Sequence, residues 1–156
     1  FEEDLMQALI DGRTHVAVMY TPQARPGLKI ELLLEEQLVM FSTRPDAAPE
    51  PERDYIYVDW GSEFLAHHNL AFPNFSGAAL TVNVGWLGLQ RMLAYGGTGY
   101  FPARLMREHE LAGRLHRVQG TPDFRLQAYV CFPANAESPT LTLAVDTMRR
   151  IAMDAE

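Results

Sequence analysis

At 156 residues, the chain is long enough to bury a core as one domain or as two small lobes. Apolar residues make up 47% of it, which is typical of a globular protein and argues against general disorder. The formal net charge of −7 is the opposite of a surface built to hold phosphates, so we expect this chain not to bind DNA by itself.

Apolar periodicity predicts helices and strands in alternation, which is typical of an α/β protein. The first element is a helix that ends at Asp11-Gly12, and its apolar face consists of Phe1, Leu5, Met6, Leu9 and Ile10. A short buried strand over 15–19 follows and leads into a turn at Thr21-Pro22. Two extended runs, 32–34 and 38–41, are then separated by Glu35-Glu36-Gln37.

A proline-rich, charged segment over 43–53 is an exposed connector. Beyond it the pattern predicts strands over 55–58 and 80–82 and helices over 62–72, 84–95 and 103–110. Asn83 is the predicted N-cap of the helix over 84–95. A glycine-rich strand and turn over 96–102 and an extended run over 115–118 complete this part of the chain.

The final part of the chain is a strand and a helix. Alternation from Phe124 to Phe132 predicts the strand, with Cys131 directed away from its apolar face. Ser138 as N-cap and Pro139 then begin the closing helix, whose apolar face is Leu141, Val145, Met148 and Ile151.

Two punctuated boundaries, at 43–53 and at Gly120-Thr121-Pro122, predict a discontinuous organisation. One lobe would comprise 1–46 plus 123–156, and the other 47–122. Two crossovers between α/β lobes are typical of a hinged module that binds a ligand in the cleft between lobes, where strand ends and helix starts converge.

Several residues follow strand ends and are candidates for such a cleft. Tyr20 and Thr21 offer a hydroxyl that could hold a carboxylate, although an ordinary turn explains them equally well. Trp60, Gly61 and Ser62 offer an apolar wall, a close backbone approach and a helix start that favours anions. The alternative is that Ser62 only caps the helix and Trp60 only fills the core. Asn83 and Val84 repeat the pattern, with capping alone as the alternative, and Tyr100 completes the set.

Catalytic and metal-binding patterns are not found in the sequence. The adjacent His67 and His68 point about 100° apart on a helix, so a solvent or interface face suits them better than a metal site. Cys131, the single cysteine, excludes an internal disulfide. Ser62 is not in a Gly-x-Ser-x-Gly elbow. We therefore expect no enzyme activity, no metal and no cofactor.

The whole chain resembles the effector-binding domain of LysR-type bacterial transcriptional regulators. The resemblance rests on DLMQALIDGRTHVAVMY, on PGLKIELLLEEQLVMFS and on RMLAYGGTGYFP, while YIYVDWGSEF is similar to the branch that includes a repressor of the flagellar master operon. Thr14 or His15 stands where an acidic residue is usual, Phe101 replaces a leucine, and Tyr95 replaces a glycine.

The resemblance implies a two-lobed fold like that of type 2 periplasmic binding proteins, with the first strand, helix and strand of lobe I and the DNA-binding domain outside this chain. It implies a ligand-sensing, cytoplasmic regulator that binds a small, anionic effector between the lobes. It also implies a homodimer through the helix over 62–72, where Phe64, Leu65, Leu70 and Phe72 supply more apolar surface than one helix face needs for an internal core. We therefore expect Phe64, Leu65, His68 and Phe72 at the dimer interface. The alternative function is a solute-binding protein of a transporter.

Overall fold

The protein is described from a computed structural model, which covers residues 2–135 and 137–154. Phe1, predicted on the apolar face of the first helix, lies outside these residues. Within them helices and strands are interspersed, in the order α1 Glu2–Ile10, β1 Ala17–Met19, β2 Leu28–Ser42, β3 Ile56–Val58, α2 Ser62–Ala71, β4 Leu80–Val82, α3 Gly85–Tyr95, β5 Thr98–Pro102, α4 Ala103–Leu111, β6 His116–Arg117, β7 Phe124–Pro133 and α5 Pro139–Asp154. None of the described helices is long and apolar enough to cross a bilayer.

The chain divides into two compact units, and one of them is discontinuous. Unit 2 is Glu36–Leu126, and unit 1 consists of the residues before Glu36 and after Leu126. The chain therefore passes between the units within β2 and within β7. The boundaries predicted from sequence, after residue 46 and after residue 122, lie outside these strands, in the segment that follows β2 and the segment that precedes β7.

Strand β2 is continuous, although the sequence predicted two runs separated by Glu35-Glu36-Gln37. The reason lies at Glu36, which is only 4% exposed despite its charge. Arg104 of α4 donates from its Nε to both carboxylate oxygens of Glu36 at 3.0 Å, and its Nη2 also donates to Oε1. A buried carboxylate with a charged partner does not interrupt a strand.

In unit 1 the strand order is β1-β7-β2, and helices cover both faces of β7. Strand β1 pairs antiparallel with β7, with Ala17 opposite Cys131. Helix α1 covers one face and α5 covers the other, so there are two core clusters. The cluster under α1 consists of Met6, Leu9, Ala17, Met19 and Cys131. The cluster under α5 consists of Val130, Leu141 and Val145. Because both faces are covered, Cys131 is fully buried, which corrects the prediction that it faces away from the core.

The outer helices of unit 1 differ from the predicted faces at their margins. Leu5 and Ile10 of α1 are 40% and 51% exposed, and the buried residues of that helix are Met6 and Leu9. In α5, Ile151 is 60% exposed and Ala152 is buried in its place. The predicted cap at Ser138 is confirmed, because its Oγ accepts a hydrogen bond from the Leu141 N–H at 3.3 Å.

Unit 2 is built on two groups of strands. The second half of β2 pairs antiparallel with β5 and with β6, while β3 pairs in parallel with β4. Gly88 of α3 lies so close to β3 and β4 that a Cβ there would be 2.9 Å from the Val58 side chain. The core between these elements consists of Val39, Phe41, Ile56, Val58, Leu89, Met92, Phe101, Met106 and Leu115.

A second core in unit 2 lies under α2 and is almost entirely aromatic. We refer to it as the aromatic cluster, and its members are Tyr55, Tyr57, Phe64, His68, Phe72, Phe75, Tyr100 and Phe124. Their ring centroids are 4.8–6.3 Å apart in tilted, edge-to-face and stacked arrangements. Such pairs add stabilisation beyond the area that they bury.

Candidate functional site

The turn between β3 and α2 presents a helix start without a side-chain cap. Gly61 is the N-cap of α2, and its φ of 101° is a conformation that favours glycine. Its N–H donates to the Asp59 Oδ1 at 3.0 Å, which fixes the turn. Ser62 is the first helical residue and is exposed, so it is not the cap that the sequence allowed as an alternative. The first-turn N–H groups of α2 thus receive no side-chain oxygen at the cap and retain a partial positive charge.

Helix α3 begins in the same way, which corrects one prediction. The N-cap is Val84, in an extended conformation and without a side-chain hydrogen bond, whereas the sequence predicted Asn83. The helix begins at Gly85, so Asn83 is one residue too early to cap it. Asn83 and Val84 are both exposed.

Trp60 connects the two helix starts. Its Nε1–H donates to the Tyr100 carbonyl oxygen at 2.9 Å, and its indole meets the Phe101 ring edge-to-face at 6.4 Å. A Cβ on Gly85 would lie 2.4 Å from the Cη2 of Trp60, so only glycine fits beneath the indole. The half-buried Trp60 is therefore a positioning residue that holds the starts of α2 and α3. The contact between Gly85 and Trp60 could not be predicted from the sequence, because a glycine at a helix start does not reveal which side chain lies on it.

Tyr100 serves the core rather than an open surface. The residue is 1% exposed, and its hydroxyl donates to the Pro122 carbonyl oxygen at 2.9 Å. Burial raises the pKa of this phenol well above its usual value of 10. The aromatic ring lies 4.8 Å from that of Phe124. Since hydroxyl and ring are both engaged, Tyr100 offers an effector almost no exposed surface.

In unit 1, the turn after β1 already binds a carboxylate of the same unit. The backbone N–H groups of Tyr20 and Thr21 donate to the Glu2 Oε1, at 2.5 and 3.1 Å. The Thr21 hydroxyl donates to the other oxygen, Oε2. The sequence predicted a hydroxyl at this turn that could hold a carboxylate, but neither the two backbone donors nor Glu2. Glu2 is 18 residues from Tyr20 and is one of three acidic residues in the first turn of α1.

Two of the four residues predicted at a dimer interface belong to the core instead. Phe64 and His68 are both 0% exposed and lie in the aromatic cluster, and Phe72 is half-buried with its ring 5.1 Å from that of His68. The spacing of Phe64, His68 and Phe72, four residues apart, is the signal of a single buried helix face. Leu65 is 45% exposed and remains available to a partner.

His68 is a neutral histidine in apolar surroundings. Its Nε2 is 2.9 Å from the Tyr55 Oη, and burial lowers its pKa to about 4. Within the described residues, its Nδ1 and the Tyr57 hydroxyl have no hydrogen-bond partner. Burial also raises the pKa of Tyr57 to about 12. The prediction that His68 faces solvent or a partner is therefore wrong.

No metal site is found among the residues that the structure describes, and the thiol of Cys131 is not activated. No group of three or more histidine, cysteine, aspartate or glutamate side chains there is arranged to hold a metal ion. Burial raises the pKa of the Cys131 thiol to about 11, so the reactive thiolate is scarce at neutral pH.

The arrangement is that of a discontinuous α/β protein of two units with uncapped helix starts, and several solved structures have the same fold. The regulatory domain of HypT from Salmonella typhimurium, bound to bromide, matches at a TM-score of 0.78 and 15% identity over 97% of this chain and 79% of that chain. DarR from Vibrio fischeri, in complex with DNA, matches at a TM-score of 0.79 and 10% identity over 97% of this chain and 56% of that chain. LysG from Corynebacterium glutamicum, with the bound effector Arg, matches at a TM-score of 0.71 and 13% identity over 98% of this chain and 56% of that chain.

These likenesses confirm the fold expected from the sequence resemblance. It is the type 2 periplasmic-binding-protein-like fold of LysR-type regulatory domains, and the neighbours include full-length LysR-type transcriptional regulators. This chain spans about half the length, 56%, of the full-length HypT chain. No protein-family model and no curated protein matches the sequence.

Proposed function

We propose that this chain is the ligand-sensing regulatory domain of a cytoplasmic LysR-type transcriptional regulator, and that it binds a small anionic effector. The observation that carries the proposal is the match of 97% of the chain to the HypT regulatory domain at a TM-score of 0.78. DNA would be bound by a separate domain, as the net charge of −7 favours.

The proposed effector site in unit 2 is centred on the two uncapped helix starts. Ser62 contributes an exposed hydroxyl, Gly61 allows close approach of the backbone, and the first-turn N–H groups of α2 and α3 attract negative charge. Trp60 keeps the two starts in place, and Asn83 and Val84 lie beside the second one. Tyr20 and Thr21 of unit 1 are further candidates.

A thermal-shift screen of small carboxylates, amino acids, phosphates and halides tests this proposal, followed by calorimetric titration of each hit. We expect at least one anion to raise the melting temperature. Ser62→Ala should weaken its binding by on the order of 1 kcal/mol, or about fivefold, because one hydrogen bond is lost. The matched control is Ser76→Ala, an exposed serine on the loop after α2, which should leave affinity unchanged. Equal affinities of Ser62→Ala and the unaltered protein would count against the site.

We also propose that α2 packs against a second copy of the chain. With Phe64 and His68 in the core, the outward face of α2 is formed by Leu65 and Leu70, with the smaller Ala66 and Asn69 between them. Leu70 is 81% exposed, so its side chain is available to a partner. Effector binding that alters this association would change the spacing between the DNA-binding domains joined to the two copies.

Leu70→Glu should weaken self-association at least tenfold, because a charge would be buried at the interface. Sedimentation equilibrium at about tens of micromolar measures this, a range in which weak homodimers are populated. Leu111→Glu is the matched control, because Leu111 is also 81% exposed but lies at the end of α4. The proposal fails if the two variants associate equally well.

A further inference from the structure

The turn formed by Tyr20 and Thr21 has the donor set of a carboxylate receptor. Two successive backbone N–H groups converge on one oxygen of Glu2, and the Thr21 hydroxyl bonds to the other. Hydrogen bonds from neutral donors to an ionised carboxylate are stronger than those between neutral groups. No lysine or arginine takes part in these three hydrogen bonds, so the recognition is by geometry.

The carboxylate now bound there is supplied by the first residue of α1. Helix α1 is anchored to β1 further along, where Met6 and Leu9 pack against Ala17 and Met19. Glu2, four residues before Met6, is therefore tethered close to the turn and competes at the high effective concentration of an intramolecular ligand. Glu3, Asp4 and Leu5 of the same turn are exposed, so displacement of Glu2 would uncover no other buried side chain of that turn.

We propose that the Tyr20–Thr21 turn is a carboxylate-binding site that Glu2 occupies, and that a small carboxylate ligand enters by displacing Glu2. Glu2 then acts as an internal competitor that sets the threshold for the ligand. Its release frees the first turn of α1, which reports that the site is filled. The identity of this ligand as the effector rests on the proposed function, whereas the donor set and its competitor do not.

Acetate, which reproduces the carboxylate of Glu2 and little else, is the probe. The measurement is the backbone amide shift of Tyr20 and Thr21 in ¹⁵N NMR spectra during an acetate titration, with chloride at equal ionic strength as the reference anion. In Glu2→Ala we expect saturable shifts of both amides and an apparent acetate affinity at least about tenfold higher than in the unaltered protein, where Glu2 competes. Glu3→Ala, which removes an exposed carboxylate from the same turn, should behave like the unaltered protein.

Two further variants make the result decisive. Thr21→Val in the Glu2→Ala background removes the hydroxyl donor and should weaken acetate binding severalfold. Glu2→Gln keeps the side-chain shape and provides the same comparison if alanine unfolds the protein. Acetate shifts that are absent in both Glu2 variants, or that chloride reproduces, would overturn the proposal.

The outcome is separable from that of the proposed function. If no metabolite binds the protein while acetate still fills the Glu2→Ala site, the carboxylate site stands and the regulatory role loses its support. If an effector binds tightly while neither it nor acetate shifts the Tyr20 and Thr21 amide signals, the carboxylate site is refuted and the regulatory role stands.

Discussion

Phe64→Ala is expected to lower the free energy of unfolding by about 3–5 kcal/mol. The side chain is fully buried, and its ring lies 5.5–5.8 Å from those of Tyr57, His68, Tyr100 and Phe124. Truncation would remove its contacts with four rings at once and leave a cavity at the centre of the aromatic cluster. Urea denaturation followed by far-UV circular dichroism gives the change.

The neighbouring residue provides the control. Leu65 follows Phe64 on the same helix but is 45% exposed, so Leu65→Ala should cost less than about 1 kcal/mol. If Phe64→Ala and Leu65→Ala lowered the free energy of unfolding equally, Phe64 would not be part of the core. A charge at position 64 would accordingly unfold the protein, so the substitution that tests dimerisation belongs at Leu70.

Stability should fall as the pH decreases from 6.5 to 4, because of His68. Burial lowers the pKa of His68 to about 4 in the folded chain, whereas an unfolded histidine titrates near 6.5. In this window the unfolded chain binds a proton that the folded chain does not, so acid favours unfolding. The expected loss is about 2 kcal/mol by pH 5 and reaches about 3 kcal/mol at lower pH. Above pH 6.5 this effect vanishes.

The groups that face His68 do not offset the change. Its ring neighbours are Tyr55, Tyr57, Phe64, Phe72, Phe75 and Tyr100, and burial raises the pKa values of the three tyrosines, which stay neutral throughout the window. Urea denaturation measures the free energy of unfolding at pH 7 and at pH 5. The difference between the two values should be smaller for His68→Phe than for the unaltered protein. His67→Gln, at an exposed position, should retain the full difference. If His68→Phe retained it too, the acid sensitivity would have another source.

Much of the fold could be predicted from the sequence because apolar periodicity determines local structure directly. The helices α1 to α5 and the alternation in β7 were predicted within a few residues. Continuity of β2 could not be predicted, because it depends on Arg104, 68 residues away, which pairs with the buried Glu36. Burial of Cys131 could not be predicted either, because alternation along one strand does not show that helices cover both of its faces.

The candidate site was predictable only in part. Glycine and serine after a strand identified the start of α2, but the same pattern before α3 suggested a cap at Asn83 that the structure does not have. Glu2 was missed because a carboxylate in a first helical turn is usually explained by the helix dipole alone. Its partners depend on how α1 packs against β1, which is tertiary information.

Cys131 makes the molecule convenient for spectroscopic labelling. Because this single cysteine is fully buried and its thiol has a raised pKa, a maleimide or a spin label at neutral pH would react with a cysteine introduced on the surface well before it reacts with Cys131. Gln90 of α3 in unit 2 and Arg150 of α5 in unit 1 are exposed positions for such a pair. Electron–electron distance measurements on a Gln90→Cys, Arg150→Cys protein could then follow the two units during a ligand titration without first removing the native thiol.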